Sequence, residues 1–408
     1  MEREHLRFVV VGSVDHGKST LIGRFLYDTG SLPEAQLEAM RKLSEDTDEK
    51  VEFAFVLDHL EEERARHITI DTAQTFFSSE TRDYVIIDAP GHKEFLKNMI
   101  TGASQASAAL LLLDVDEGLR EQTHRHAFML SLLGIRQLVV VLNKMDKVDF
   151  SRDVYDDMSA KIVNVLEQVT LDRMAIIPAS ALEGDNIVRR SDRMSWYDGP
   201  TVIEALDLFQ PAIADESQPF RLPVQDVYEI EGRKIAVGKV ASGCVRVGRE
   251  VSVQPEGTTA ELATLEKFEQ SLDAASAGES IGFTLSANGQ LSRGQTLCAV
   301  DDQPQSTHAL EARVFWMSPR PLRKGQTITL RLATQELPCT AERIANRMDA
   351  GSLTIVEPDA QELHDTEVAE VTLTSDQAIH YDSFRRIAEM GRLVLMQETD
   401  IVGGGIVV

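Results

Sequence analysis

The sequence feature that most constrains the fold is a Gly-rich turn near the start of the chain, between a strand-like and a helix-like segment. The residues before it, FVVV (8–11), form a continuous apolar run typical of a buried strand. The turn itself, GSVDHGKS (12–19), has the spacing GxxxxGK[ST]. In that setting, backbone N–H groups and the N-terminus of the following helix surround a phosphate group. The sequence therefore predicts an α/β domain that binds a phosphorylated ligand at this turn.

Four further apolar runs recur in the first half of the chain, separated by segments with helical periodicity. They are DYVIIDAP (83–90), ALLLLDV (109–115), QLVVVLNK (137–144) and MAIIPAS (174–180). Continuous apolar strands suit a mostly parallel sheet that helices cover on both faces. We therefore predict a doubly wound α/β domain over residues 1–212.

The second half of the chain has a different pattern. From residue 218 onward, short alternating segments such as KIAVGKVASG (234–243) are punctuated by Gly and Pro, which is typical of small β-barrels. A polar stretch, DDQPQST (301–307), divides this half. We predict two all-β barrel domains, over residues 218–303 and 306–408.

Two side chains of the Gly-rich turn have defined chemistry. Lys18 is expected to contact the β- and γ-phosphates of a nucleotide, and Ser19 to offer its hydroxyl to Mg²⁺. A chance Gly-rich turn is the alternative interpretation, and the motifs that follow argue against it. The other candidate nucleotide contacts in the turn are Gly12, Ser13, Val14, Asp15, His16, Gly17 and Thr20.

Two later segments supply candidate metal ligands. Asp88-Ala-Pro-Gly91 ends an apolar run, so Asp88 can hold Mg²⁺ through a water molecule and the Gly91 N–H can contact the γ-phosphate. Thr69, in HITID (67–71), is the candidate second Mg²⁺ ligand on a loop that orders around the γ-phosphate. Taken alone, a Pro- and Gly-rich turn and an ordinary strand start would explain these residues equally well.

The base is predicted by the segment Asn143-Lys144-Met145-Asp146. The Asp146 carboxylate can accept two hydrogen bonds from the N1–H and N2–H₂ groups of guanine, and adenine offers no such donor pair. Ser180, Ala181 and Leu182 follow the next apolar run and are expected to contact the base through backbone N–H groups. Together the motifs predict GTP and GDP as the ligands, with Mg²⁺.

Composition restricts the other function classes. The three cysteines are far apart, so we expect neither a disulfide nor a structural zinc. The formal net charge of −25 opposes binding to nucleic acid. The N-terminus lacks the pattern of a signal peptide, and the most apolar run, AALLLLDV (108–115), is too short to span a bilayer. We expect a cytoplasmic protein that does not bind membranes.

With these motifs assembled, the chain resembles the translation-factor class of GTPases, elongation factor Tu and its relatives. DAPGHKEFLKNMITGASQA (88–106) and NKMD (143–146) carry that resemblance. Within the class, the chain is similar to the large, GTP-hydrolysing subunit of bacterial sulfate adenylyltransferase. The segments that carry this second resemblance are VGSVDHGKSTLIGRFLYDTG (11–30), RARHITIDTAQTFF (64–77), SALEGDN (180–186), RMSWYDGPT (193–201), KVASGCVRVGREVSVQPEG (239–257) and VFWMSPRPLRKGQ (314–326).

The resemblance implies a GTPase domain followed by two β-barrels, and a heterodimer with a small catalytic subunit. That subunit would join ATP and sulfate into adenylylsulfate and diphosphate, and this chain would couple GTP hydrolysis to the step. The resemblance also implies that His92 orients the attacking water, with Val14 and Ile68 as apolar neighbours. Two positions depart from the pattern: His67 stands where the class usually has glycine, and His16 where the sulfate-activating subunit often has aspartate.

Two other interpretations stay open at this point. A translation factor that delivers aminoacyl-tRNA needs cationic surface on its barrels, yet residues 221–408 contain 18 Lys and Arg against 27 Asp and Glu. Phosphate contacts dominate affinity for RNA, so this balance disfavours that interpretation. A regulatory switch that binds GTP without turnover is the third, and the presence of His92 argues against it.

Overall fold

The computed structural model divides the chain into two compact units, residues 1–211 with 351–353 and residues 212–350 with 354–408. The residues described are 5–13, 15–32, 34, 74–79, 81–88, 106, 108–135, 137–169, 171–210, 217–230, 232–267, 270–286, 291–352 and 354–408.

The first unit contains a six-stranded sheet with helices. The strand order is β2-β3-β1-β4-β5-β6, in which β2 is antiparallel to β3 and the other pairs are parallel. The strands are β1 (His5–Val11), β2 (Gln74–Ser78), β3 (Asp83–Asp88), β4 (Ala108–Asp114), β5 (Leu138–Asn143) and β6 (Ala175–Pro178). The described helices are α1 (Lys18–Asp28), α2 (Glu121–Leu132), α3 (Arg152–Gln168) and α4 (Val202–Asp207), with 3-10 turns at Met145–Val148 and Asp192–Met194.

The core of this unit explains its strand pattern. Every residue of β4 and β5 is buried, as the continuous apolar runs of these central parallel strands predict. On one side, the Phe77 ring stacks between Phe25 of α1 and Tyr84 of β3, with ring centroids 5.2 and 4.8 Å apart. Such aromatic packing fixes α1 against the sheet, and the Gly-rich turn lies between β1 and α1.

The second unit begins with a β-barrel. Its main sheet has the order β10-β15-β7-β8-β14-β11-β12, and β10 also pairs with β11, so six strands close into a barrel. Val and Leu side chains of these strands, together with Phe220 and Phe283, fill the interior. The strands are β7 (Arg221–Ile230), β8 (Arg233–Lys239), β9 (Cys244–Arg246), β10 (Glu250–Gln254), β11 (Thr258–Lys267), β12 (Gln270–Leu272), β13 (Ala274–Ser276), β14 (Ser280–Leu285) and β15 (Thr296–Ala299).

A second barrel follows in the same unit. Its main sheet has the order β18-β23-β24-β16-β22-β19-β20, and the additional pairing of β18 with β19 closes six strands. Trp316 is fully buried in its core. The strands are β16 (Gln305–Trp316), β17 (Leu322–Arg323), β18 (Thr327–Leu332), β19 (Gln335–Asp349), β20 (Thr354–Ala360), β21 (Glu362–Leu363), β22 (Glu367–Tyr381), β23 (Arg392–Gln397) and β24 (Asp400–Val407), with a short helix α5 (Ala388–Gly391).

The predicted fold class is confirmed: an α/β domain with a mostly parallel sheet precedes two β-barrels. The exact domain limits stay a prediction, although β15 ends at Ala299 and β16 begins at Gln305, on either side of the predicted boundary. Among the described residues, no helix has the length and apolarity needed to cross a bilayer.

Candidate nucleotide-binding site

The predicted site residues lie where the parallel strands of the first unit end. β1 leads into Gly12, β5 ends at Asn143, and Ser180 lies two residues beyond the last residue of β6. These strands are parallel, so their carboxyl ends meet at one edge of the sheet. In open α/β sheets, ligands bind in the crevice at this edge.

The turn before α1 needs glycine at position 17. Gly17 caps the helix with φ 91°, in the left-handed region that favours glycine. A Cβ atom built there would lie 2.5 Å from Nδ2 of Asn143, well inside contact distance. The second Gly of the motif is therefore required both by the backbone conformation and by the close approach of the β5 strand end.

The Lys18 side chain folds back over the turn that precedes it. Its Nζ donates hydrogen bonds to the carbonyl oxygens of Gly12 (2.7 Å) and Ser13 (2.8 Å). The ammonium is thereby held at the mouth of the turn, beside the N-terminus of α1. The Ser13 hydroxyl is buried there with no hydrogen-bond partner among the described residues, which leaves a donor for an incoming group. Cation, helix terminus and hydroxyl together fit a phosphate.

His16 belongs to the turn, yet its imidazole is directed into the protein. The ring is fully buried, and Nδ1 donates to the Leu112 carbonyl oxygen of β4 at 3.0 Å. Burial lowers the pKa of His16, although the backbone hydrogen bond and the nearby Glu117 partly oppose that shift. The His16 side chain thus anchors the turn to the sheet, and the predicted contact of this residue with a nucleotide stays a prediction that falls to its backbone.

Asn143 joins the turn to the segment after β6. Its Nδ2 donates to the His16 carbonyl oxygen (2.8 Å), and its Oδ1 accepts from the Ala181 N–H (2.9 Å). The side chain is buried, so both bonds are protected from water. Three predicted elements, residues 12–20, 143–146 and 180–182, therefore converge on one amide group.

The Asp146 carboxylate is held by the same neighbouring segment. Ser180 is buried and its hydroxyl donates to Asp146 Oδ1 in a short hydrogen bond, while the Glu183 N–H donates to the Ser180 hydroxyl (3.2 Å). Asp146 itself lies in the 3-10 turn that begins at Met145, whose N–H donates to the Ala179 carbonyl oxygen (3.1 Å). These bonds hold one oxygen of the carboxylate in a fixed position.

Sequence reasoning missed two further residues that contact the site. The first is Asp114, the last residue of β4. Its Oδ2 atom lies 2.8 Å from Nζ of Lys144. Arg24 on α1 donates to the Leu182 carbonyl oxygen at 3.5 Å, and its guanidinium occupies the space that a Cβ at Gly184 would need. Asp114 could have been found as a charged residue ending an apolar run, as Asp88 does. The Arg24 contact spans 158 residues and has no signal in the sequence.

Several predicted residues lie outside what the structure describes. These are Val14, Ile68, Thr69, Gly91, His92 and the side chain of Asp88, of which only the backbone, at the end of β3, is described. Of the predicted Mg²⁺ ligands, Ser19 alone is described in full, in the first turn of α1. The catalytic role of His92 and the metal ligands stay predictions.

Comparison with known proteins agrees with this geometry. Residues 3–212 match the family described as the elongation factor Tu GTP binding domain, and residues 309–408 match the GTP-eEF1A C-terminal domain-like family. The chain is 37% identical over 413 residues to elongation factor 1-alpha of Archaeoglobus fulgidus, an alignment that covers 100% of this chain and 98% of that protein. It is 37% identical to elongation factor 1-alpha of Natronomonas pharaonis, with 99% and 97% covered.

A relative with a different name is equally similar. The chain is 38% identical over 410 residues to sulfate adenylyltransferase subunit 1 of Aeromonas hydrophila subsp. hydrophila, covering 99% of this chain and 86% of that protein. The matched GTP-binding domain carries the loops at the carboxyl ends of the strands described above, and relatives aligned over the full length of the chain are more than one third identical to it. The chain therefore belongs to the elongation factor Tu and elongation factor 1-alpha family of GTP-binding GTPases.

Proposed function

We propose that this chain binds GTP with Mg²⁺ and hydrolyses it, and that it does so as the large subunit of a sulfate adenylyltransferase. The observation that supports a guanine nucleotide is the Asn143 amide. It joins the Gly-rich turn (12–19), which is expected to bind phosphate, to the segment 180–182, which is expected to contact the base, through hydrogen bonds of 2.8 and 2.9 Å. One rigid connection thus sets the spacing between the phosphate donors and the Asp146 carboxylate. A single ligand with a phosphate at one end and a base at the other would contact both segments.

Base selectivity rests on Asp146 in this proposal. With one oxygen held by Ser180, the carboxylate faces a base edge in a fixed orientation. Guanine offers two adjacent N–H donors to it, whereas adenine offers none and would leave a charged acceptor without a partner. The site therefore selects GTP and GDP over ATP and ADP.

Hydrolysis is assigned to residues around the phosphate. Lys18 stabilises the charge on the β- and γ-phosphates, and the proposed ligands Ser19, Thr69 and Asp88 would hold Mg²⁺, which neutralises charge on the same phosphates. His92 orients the attacking water in this proposal. We expect His92→Ala to retain GTP binding while single-turnover hydrolysis slows by roughly 10²–10⁴-fold. A loss of GTP affinity as large as that of Lys18→Ala would contradict this division of roles.

Three observations support the sulfate-activation role. The chain is 38% identical to a sulfate adenylyltransferase subunit 1 over 99% of its length. The segments RMSWYDGPT (193–201) and VFWMSPRPLRKGQ (314–326) resemble that subunit. The barrel region carries a net charge of −9, with 18 Lys and Arg against 27 Asp and Glu in residues 221–408. That balance suits a protein partner better than tRNA.

A translation role is the second candidate, and one observation favours it. The alignment covers 98% of the elongation factor 1-alpha of Archaeoglobus fulgidus but 86% of the sulfate adenylyltransferase subunit. The alignment therefore leaves less of the elongation factor unmatched than of the sulfate adenylyltransferase subunit. Under this candidate, the chain would deliver aminoacyl-tRNA to the ribosome.

Partner-dependent turnover separates the two candidates. The chain is co-expressed with a small adenylyltransferase subunit, and phosphate release from GTP is measured together with adenylylsulfate formation. We expect the GTPase rate to be low in the isolated chain and to rise when the small subunit, ATP and sulfate are present. We also expect GTP to raise the adenylylsulfate yield. A rate that ignores the small subunit and responds to aminoacyl-tRNA and ribosomes would replace the sulfate role with the translation role.

A further inference from the structure

Asp114 is a buried carboxylate at the edge of the nucleotide site that no predicted role uses. It is the last residue of β4, its side chain is fully buried, and it pairs in register with Asn143 of β5. A charge taken out of water at this position costs free energy unless partners compensate it. The partners therefore indicate what the residue does.

Two of those partners are lysines from the turn after β5, and the third is a backbone N–H just beyond β4. Lys144 Nζ lies 2.8 Å and Lys147 Nζ 3.7 Å from Asp114 Oδ2, and the Asp116 N–H donates to Oδ1 at 2.9 Å. Burial would raise the pKa of the Asp114 carboxyl, but Lys144 and the Asp116 N–H outweigh it, and the pKa lies below its usual value. Asp114 is therefore an anion that draws two ammonium groups to the end of β4.

The same two lysines flank Asp146 in the sequence. Lys144 precedes it by two residues and Lys147 follows it directly, so each flexible stem can bring an ammonium to the Asp146 carboxylate. Within the described part of the chain, the Asp146 carboxylate has a hydroxyl partner, Ser180, and no Lys or Arg nitrogen lies within 4.0 Å of it. A lysine bound at Asp146 would occupy the acceptor that guanine needs.

We propose that Asp114 is a specificity-determining positioning residue, a buried counter-ion that holds Lys144 and Lys147 away from Asp146 and so keeps its carboxylate open to guanine. The proposal rests on the proposed binding of guanine nucleotides. Asp114 is assigned no contact with base or phosphate in this proposal and acts through the two lysines. Without it, Lys144 loses the carboxylate that it pairs with at 2.8 Å, whereas Lys147 keeps Asp116 at 3.9 Å. Lys144 in particular is then left to pair with Asp146.

The test compares GDP with inosine diphosphate, which lacks the N2 amino group of guanine. Both affinities are measured for the purified full-length chain by isothermal titration calorimetry. The wild type is expected to prefer GDP by about tenfold, the value of one hydrogen bond to a charged group. Asp114→Asn keeps the acceptor for the Asp116 N–H but removes the charge. We expect this variant's preference to fall to about twofold.

Second-site variants identify the cause. The double variant Asp114→Asn/Lys144→Met lacks the nearer competing ammonium, so most of the preference for GDP is expected to return. Loss of Lys144 is expected to weaken the binding of both nucleotides. Asp116→Asn is the matched control, since that exposed carboxylate lies 3.9 Å from Lys147, and its preference should equal the wild type. Lys144→Met alone should keep or raise the preference, a prediction that holds whether or not Asp114→Asn folds.

The outcomes separate this inference from the proposed function. If the wild type binds neither nucleotide, the proposed function fails. If it prefers GDP and Asp114→Asn keeps that preference, the positioning role is wrong and the proposed function stands. Equal loss of preference in Asp114→Asn and in its Lys144→Met double variant would show that Asp114 acts independently of the lysine. A lower preference in Lys144→Met alone would overturn the inference as well.

Discussion

Two clusters of charged residues, one in each compact unit, show how differently a protein uses buried charge. At the edge of the sheet, Asp114 is fully buried, but its partners Lys144 and Lys147 keep 23% and 46% of their side chains exposed. In the barrel unit, Arg221 and Asp382 are both fully buried. The first cluster is open to solvent through both lysines. In the second, only the central Arg221–Asp382 pair is closed to water, since Asp302 and Arg386 beside it are 38% and 39% exposed, and we call this pair the sealed cluster.

The sealed cluster uses every donor of its arginine. Arg221 Nε donates to Asp382 (2.8 Å), Nη1 to the carbonyl oxygens of Phe220 (2.9 Å) and Asp302 (2.8 Å), and Nη2 to the carboxylates of Asp382 (3.1 Å) and Asp302 (3.3 Å). Arg386 adds bonds to both carboxylates. A fully bonded cluster stabilises one packing, whereas the partly exposed cluster at the sheet edge leaves its lysines able to move. A buried pair whose donors are all used therefore fixes packing, whereas a buried anion with exposed lysines can exchange partners.

Breaking the sealed cluster is expected to have the largest effect. Arg221→Met leaves Asp382 buried without its main cation, so the free energy of unfolding should fall by about 3–5 kcal/mol. Arg221→Lys keeps a cation with fewer donors and should lose less. Urea denaturation measures both, with GDP affinity of the native variants as the control. A change in GDP affinity with unchanged stability would contradict the structural role.

Removing the Lys18 ammonium should have the reverse effect, lowering nucleotide affinity while leaving stability nearly unchanged. Lys18→Ala deletes the ammonium that bridges the Gly12 and Ser13 carbonyl oxygens. We expect GTP and GDP affinity to fall by roughly 10–150-fold, the value of hydrogen bonds to a charged group, at nearly unchanged stability. Fluorescence titration with a labelled guanine nucleotide measures the affinity. Lys161→Ala, an exposed lysine paired with Asp157 on α3, is the matched control.

A smaller effect on stability, dependent on pH, is expected at His126, whose neighbours include Lys18 and His16 of the same region. Burial, with Lys18, His16 and Arg125 nearby, lowers the pKa of His126 to about 3 from 6.5. Above pH 6.5 the residue is neutral in both states and costs nothing. As pH falls below 6.5 the unfolded chain takes up a proton that the folded chain refuses until about pH 3, so stability is lost across that window.

The corresponding measurement compares the wild type with His126→Leu. At pH 5 the histidine should cost about 2 kcal/mol that is absent at pH 7.5, at about 1.4 kcal/mol per pH unit. Between pH 7.5 and pH 5, the free energy of unfolding of the wild type should therefore fall by that amount relative to that of His126→Leu. A difference that stays constant with pH would mean that His126 titrates normally in the folded chain.

Sequence reasoning reached the features that local pattern determines. The apolar run at 109–115 covers the buried central strand β4 except for its first residue, and the run at 137–144 contains β5. Each of the motifs at Gly12, Asn143 and Ser180 follows an apolar run, and parallel strands end at one edge of the sheet, so their common location follows from the strand pattern. Their convergence on the Asn143 amide follows the same rule.

Long-range pairs of charges could not be reached in this way. Arg221 stands in an ordinary strand, and its partner Asp382 lies 161 residues further along the chain. The Asp114 contact needs both the register of β4 with β5 and the backbone of Lys144, whose φ of 66° turns the chain after β5. Strand pattern gives neither quantity, since register and loop conformation depend on packing between distant segments.

Asp146 is proposed to select guanine at the edge of the sheet, and a nucleotide titration tests that role without intermediate steps. The wild type and Asp146→Asn are titrated with GTP, ATP and xanthosine triphosphate in the presence of Mg²⁺. We expect the wild type to bind GTP at least roughly 10²-fold more tightly than ATP. Asp146→Asn should prefer xanthosine triphosphate, because its amide supplies the donor that the xanthine O2 accepts. Comparable binding of GTP and ATP by the wild type, or an unchanged guanine preference in the variant, would contradict the claim.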